Sequence, residues 1–297
     1  MQQLSMTYAG QKRRLAIATL AVLALLAGRD DARAQIKETG DLSIELVDPK
    51  VLRVCADPHN LPFSNEKGEG FENKLAELFA EKLNKKLDYM YFPQATGFVR
   101  MTLGAHRCDV IMGFPQGDDL VQGTNPYYRT AYALVAKQGS GLEDVATLDD
   151  ERLKGKRIGI VAGTPPGTNM AVNGLMANAR PYQLMVDTRL DSSAEAMIAD
   201  LMSGQIDAGI LWGPLGGYYA QGSKAPIALV PLVKEKAGPP AIYGITMGVR
   251  ANEPEWKHKL NKLIAENQAD IDAMLREYNV PLLDENGNLL KGSTAER

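Results

Sequence analysis

Apolar and polar positions along this chain follow two periods in turn, one near 3.6 residues and one of 2, and their alternation predicts the architecture. Residues 51–55 read as a short strand that runs into a turn, Asp57-Pro58-His59-Asn60-Leu61-Pro62. Phe71, Leu75, Leu78, Phe79 and Leu83 then fall on one stripe of a helix. Residues 87–92 alternate as a second strand, 98–103 form a short helix, and 109–112 form a third strand ended by Gly113. Strands separated by helices predict a parallel sheet covered on both faces.

The same order recurs further along. Residues 156–161 predict a strand emptying into Ala162-Gly163-Thr164-Pro165-Pro166-Gly167, followed by a helix over 168–177 and a strand over 182–186. Ser192 or Ser193 caps a helix carrying Met197, Ile198, Leu201 and Met202, Gly204 ends it, and 206–212 is a strand. The stretches 103–113 and 201–213 share one order: helix end, tight turn, aspartate, apolar strand, glycine. Extended segments at 132–136 and 243–249 cross between the two halves, so the last helix, from Pro254 to before Pro281, returns to the first half. The expectation is an α/β chain of two lobes joined by two extended crossings. Lobe 1 comprises 35–137 with 242–283, lobe 2 comprises 138–241, and 284–297 is a flexible polar tail. Residues 213–219 and 237–241 read as loops able to form a recognition surface.

The first residues change the picture of where the chain works. Lys12-Arg13-Arg14 precedes an apolar run over 15–27 and then Ala32-Arg33-Ala34, which predicts a secretory signal peptide over 1–34, cleaved between Ala34 and Gln35. A retained anchor would need about 20 apolar residues. Cleavage removes five positive and two negative charges and moves the net charge from −3 to −6. Such a chain, without a Lys/Arg-dense face, excludes nucleic acid and anionic lipid as natural partners. Cys55 and Cys108 face an oxidising compartment, which favours a disulfide. Their strand positions oppose it, since one closes a strand and the other opens its parallel neighbour, and the pairing stays open. His59, His106 and His258 show no metal-ligand spacing, so no metal or other cofactor is expected.

Two α/β lobes behind a signal peptide, with Gly70-Phe71 at a helix start, Cys108-Asp-Val-Ile-Met-Gly113, Asn125-Pro-Tyr127 and Gly163-Thr164, resemble the periplasmic solute-binding proteins of ABC transporters, in particular family 3. The phrases 54–65, 71–76, Pro93-Gln94 with 97–100, 124–129, 263–268 and 276–281 resemble more closely the J-type accessory proteins of methanol oxidation, the MxaJ and XoxJ group. That resemblance implies a bilobal periplasmic binding protein fold and a role beside a PQQ-dependent methanol dehydrogenase, in its function or maturation. The alternative is a solute receptor for an ABC transporter, taking a small neutral or cationic solute. Departures from the amino-acid-binding pattern are specific. Gly117, followed by Asp118 and Asp119, stands where that family carries a carboxylate-gripping arginine, and Trp212-Gly213-Pro214 stands where it carries an aspartate. Free amino acids are therefore expected not to bind.

Ligands of open α/β sheets sit beyond the carboxyl ends of the strands. That rule places Asp57, His59, Asn60, Phe63, Gln94, Gln116, Gly163, Thr164 and Trp212 at a cleft, with Phe98, Tyr127, Tyr128 and Trp212 giving it an aromatic lining for a ligand or a partner's side chain. Against each stands a simpler reading, since turns need Asp, Asn and Gly merely to turn and aromatics usually pack in cores. The chain carries no nucleophile elbow, zinc-protease, phosphate-loop or Cys-x-x-Cys motif, and an Asp57/His59 acid–base pair has nothing to position a nucleophile. The expectation is a binding protein, not an enzyme.

Overall fold

The computed structural model describes residues 45–292, so the expected signal peptide and its Ala34/Gln35 cleavage lie outside the described residues. The first lobe opens with β1 (Val51–Ala56), the short β2 (His59–Asn60) and β3 (Ser64–Asn65), helix α1 (Phe71–Lys82), β4 (Lys86–Tyr91), α2 (Phe98–Met101), β5 (Val110–Pro115) and β6 (Gln122–Gly123). The crossing strand β7 (Tyr128–Lys137) leads to β8 (Ile158–Val161), α3 (Pro165–Val172), β9 (Ala179–Tyr182), α4 (Ser193–Ser203), β10 (Ala208–Trp212), α5 (Gly213–Gln221) and β11 (Ile227–Pro231). The second crossing, β12 (Ile242–Val249), returns to α6 (Pro254–Glu266) and α7 (Gln268–Glu277).

Helix α1 buries Phe71, Leu75 and Phe79 of the predicted stripe together with Ala76 and Ala80, and leaves Leu78 and Leu83 half-buried against the same core. Its start is fixed by Asn73, whose side-chain oxygen accepts the backbone N–H of Gly70 at 3.2 Å and of Asn65 at 3.0 Å. Gly70 is obligatory there, because a Cβ would run into the Phe63 carbonyl. Asn84 takes a left-handed conformation, φ 52°, and stops the helix.

One sheet path runs β4-β1-β5-β12-β7-β10-β8-β9. Strands β1, β4 and β5 pair in parallel, as do β8, β9 and β10, and the two crossings lie antiparallel between these halves. The first half of β7, Tyr128 to Ala131, pairs with β12, whereas Tyr132 to Ala136 pair with β10. The fold is thus bilobal, with both crossings in register beside one another. One core gathers around Phe71, Phe79, Met247 and Trp256, and the other lobe packs Leu134, Ile158 and Ile160 on one face and Met197, Leu201 and Leu211 on the other.

One pairing left open is decided and three local expectations are corrected. Cys55 and Cys108 form a disulfide, with Cα atoms 5.5 Å apart. Had the chain entered β5 fully extended, Cys108 would lie three positions, about 10 Å, from Cys55. It instead folds over the sheet face, where Arg250 holds the carbonyls of Leu103 and Cys108 at 3.2 and 2.5 Å. The strand expected over 182–186 ends at Tyr182, because β9 pairs with β8 only over 179–182, and Leu184 and Met185 stand exposed. Residues 213–219 are helical rather than a loop: Pro214 suits a first turn, and Gly216 and Gly217 let α5 approach Leu229 and the Asn279 carbonyl closely. The polar tail is held as far as Leu290 by a small hairpin, in which Leu290 donates its N–H to Leu282 O at 2.9 Å and Asp284 to Asn288 O at 2.8 Å.

A buried ion cluster ties the start of β5 to α6. Arg250 pairs with Asp109 at 2.8 Å and Glu253 at 2.7 Å, and Arg53 reaches Asp109 at 2.6 Å. The Trp256 indole N–H donates to the Asp109 carbonyl at 2.9 Å. Glu45 completes the junction by accepting the N–H groups of Glu255 and Trp256 at the start of α6.

Candidate functional site

The carboxyl ends of β1, β4 and β5, the crossings and the end of β10 converge on a cavity of about 360 Å³. Its wall includes Phe63, Gln94, Phe114, Tyr128, Tyr132, Trp212, Tyr243 and Ile245, and Glu72 and Gly113 lie side by side in it. The crossing strands bring Tyr132 of β7 and Tyr243 of β12 against Trp212, whose ring centroid lies 5.0 Å from Tyr132 and 6.0 Å from Tyr243. Tyr132 and Tyr243 are 6.2 Å apart at 81°, so the three rings form an edge-to-face corner. Phe63 and Tyr128 each meet Phe71 edge-on at 5.3 and 6.3 Å, which continues the aromatic surface into the first core.

Glu72, in the first turn of α1, is 6 % exposed. Its carboxylate has no hydrogen-bond or ion-pair partner among the described residues. Burial lifts its carboxyl from 4.5 to about 8, and the nearby Asp57 carboxylate adds to the rise. Burial likewise holds the phenols of Tyr127 and Tyr128 well above their ordinary value and Tyr132 at about 12. No arginine, lysine or histidine of the described residues lines this cavity.

A second recess of about 230 Å³ opens at the rim, between His59, Asn60 and Gln94 on one lobe and Thr164, the segment 183–188 and Tyr219 on the other. Asp57 organises that rim. It accepts the N–H groups of His59 at 2.8 Å and Gln94 at 2.6 Å, and across the cleft Thr188 Oγ1 donates to it at 3.2 Å. Asn60 donates to Gln94 Oε1 at 2.9 Å.

Of the residues expected at a cleft, Phe63, Gln94, Tyr128 and Trp212 line the main cavity, and His59, Asn60, Gln94, Thr164 and Trp212 line the rim recess. Asp57 is buried behind the rim. Two aromatics are corrected. Phe98 packs with the Cys55–Cys108 disulfide, Leu103 and Ile111, because its short helix lies flat on the sheet face. Tyr127, 1 % exposed, faces the first core, since successive residues of an extended chain point to opposite sides and Tyr128 takes the cavity side. Gln116 lies just beyond the wall, its N–H bonded to Gly244 O at 2.9 Å. Gly163 and Thr164 serve a tight turn: Gly163 has φ 82°, and the Thr164 hydroxyl donates to Val161 O at 2.6 Å.

Sequence reasoning missed Glu72, Tyr132, Tyr243 and Thr188. An acid in the first turn of a helix is an ordinary favourable placement and carries no sign of a cavity. Tyr132 and Tyr243 are 111 positions apart, and only the strand pairing joins them.

The profile of the bacterial extracellular solute-binding proteins, family 3, matches residues 52–280. The chain is similar to the crystal structure of the periplasmic binding protein XoxJ from Methylobacterium extorquens AM1, at 45 % identity and a TM-score of 0.68, over 79 % of this chain and 100 % of that one. It is 28 % identical over 251 residues to Protein MoxJ of Paracoccus denitrificans, covering 80 % of this chain and 91 % of the relative. It is 26 % identical over 242 residues to the histidine-binding periplasmic protein of Escherichia coli (strain K12), covering 75 % and 84 % respectively.

Proposed function

The chain belongs to the bacterial extracellular solute-binding proteins, family 3, close to XoxJ and MxaJ, and from that membership we propose that it is a periplasmic, non-catalytic accessory protein of a PQQ-dependent methanol dehydrogenase. It recognises the enzyme at the mouth of its cleft. The observation that carries this reading is the apolar lip on the second lobe. Leu184, Met185 and Leu190 are 53 %, 52 % and 80 % exposed on the segment that borders the rim recess. Large apolar side chains grouped on one rim cost solvation until a partner covers them. The resemblance to the J-type accessory proteins supplies the partner. Hinge opening at β7 and β12 would move this lip relative to Asp57 and His59.

The test is binding of the signal-free protein to purified methanol dehydrogenase, in its calcium and lanthanide forms, by surface plasmon resonance. The wild type is expected to bind one of them, and the double substitution Leu184→Ser, Leu190→Ser to weaken binding by roughly tenfold or more. Undiminished binding by the double variant removes the lip from the interface, and no binding by the wild type removes the accessory reading.

The second reading, a solute receptor for an ABC transporter, is favoured by one observation: an aromatic cavity of ligand size between the lobes. Neither reading asks the chain for a catalytic group.

A further inference from the structure

We propose that the main cavity is a binding site for a compact alkylammonium ion, with Glu72 as its counter-ion and Tyr132, Trp212 and Tyr243 as its aromatic wall. The site goes beyond the dehydrogenase reading and does not rest on it. A cation can occupy the cavity whether or not the lip engages an enzyme.

Three independent observations point to this ligand. First, Glu72 is more than nine-tenths buried, opens on the cavity, and meets no donor or cation of the described residues. Buried carboxyl groups are ordinarily hydrogen-bonded or paired, so this one lacks the partner its position calls for. Second, the rings of Tyr132, Trp212 and Tyr243 meet at 64°, 69° and 81° and enclose a corner. Aromatic faces attract a cation through their quadrupole, and they do so more strongly where water is excluded. Third, every ionisable group beside Glu72 is an acid or a phenol: Asp57 after β1, Tyr89 of β4, and Tyr127 and Tyr128 at the start of β7. An anionic ligand would find no opposite charge in this wall. A cavity of about 360 Å³ has room for a compact alkylammonium ion with water beside it.

Binding is coupled to a proton. In the empty cavity the Glu72 carboxyl stays protonated up to about pH 8. An entering cation favours the carboxylate, so the proton leaves to solvent as the ion binds, and affinity rises with pH by roughly tenfold per pH unit until that value.

Choline, tetramethylammonium and ethylammonium are the probes, with 3,3-dimethylbutan-1-ol as the uncharged analogue of choline. Binding is read by isothermal titration calorimetry in buffers of different ionisation enthalpy and by tryptophan fluorescence. At least one cation is expected to saturate a single site with release of a proton below about pH 8, and the uncharged analogue to bind at least about tenfold more weakly. Glu72→Gln is expected to lose the affinity and its pH dependence together, with folding checked by circular dichroism. Tyr132→Leu is expected to weaken binding while the pH dependence stays. The proposal is overturned if the uncharged analogue matches choline, if the glutamine variant binds as well as wild type, or if none of the three cations saturates.

Discussion

Replacing Glu72 by glutamine tests the electrostatic reasoning most directly, because the substitution keeps the shape of the side chain and removes only its titration. The folded chain holds this carboxyl at about 8, against an ordinary 4.5. Between those values the folded state keeps a proton that the unfolded state has released. Stability therefore falls as pH rises through the window, is unaffected by this group below about 4.5, and levels off above about 8. At about 1.4 kcal/mol per pH unit the window amounts to about 5 kcal/mol as an upper limit, and to about 3 kcal/mol at neutral pH. The glutamine variant lacks this slope. Urea midpoints of both proteins measured from about pH 5 to about pH 8.5 are expected to diverge, with the variant gaining on the wild type by several kcal/mol toward the alkaline end. In a thermal melt the same divergence is roughly ten degrees for a chain of this size. Parallel curves across the window would refute the reasoning, since they would mean that the Glu72 carboxyl ionises as an ordinary exposed acid does.

Three further outcomes are expected. Reducing the Cys55–Cys108 bridge, or replacing both cysteines by serine, releases a loop of sequence separation 53 and is expected to cost about 4 kcal/mol in denaturant titrations. Arg250→Met leaves Asp109 and Glu253 buried without their shared cation, and is expected to lower stability by about 3–5 kcal/mol, read as a fall in the urea midpoint at unchanged m value. Thr188→Val removes the hydroxyl that donates to Asp57 across the cleft, worth about 1 kcal/mol of closure, and a larger radius of gyration in small-angle scattering is the expected sign.

Where the chain's own periodicity was strong, structure followed it. The stripe from Phe71 to Phe79 became α1, and the repeated turn, aspartate and apolar strand became the entries to β5 and β10 and the strands themselves. Where packing decides, it did not. Leu184 and Met185 look like strand residues by composition, yet β9 had already run out of partner, so they became an exposed lip. The glycines of 213–217 look like a loop, yet they are small so that α5 can lie close to Asn279, a contact invisible from local sequence.

The sequence by itself determined the α/β class, the two lobes and their crossings, and the family resemblance. These are local or linear properties: periodicity, turn chemistry and the order of motifs. Only the tertiary structure decided that Cys108 reaches Cys55, that Phe98 and Tyr127 turn away from the cleft, and that Glu72 faces Tyr132, Trp212 and Tyr243 across one cavity. Burial and juxtaposition depend on which distant strands pair. The acidity of Glu72 is set by that enclosure, because removing water from a carboxyl group raises its pKa whatever residues precede and follow it.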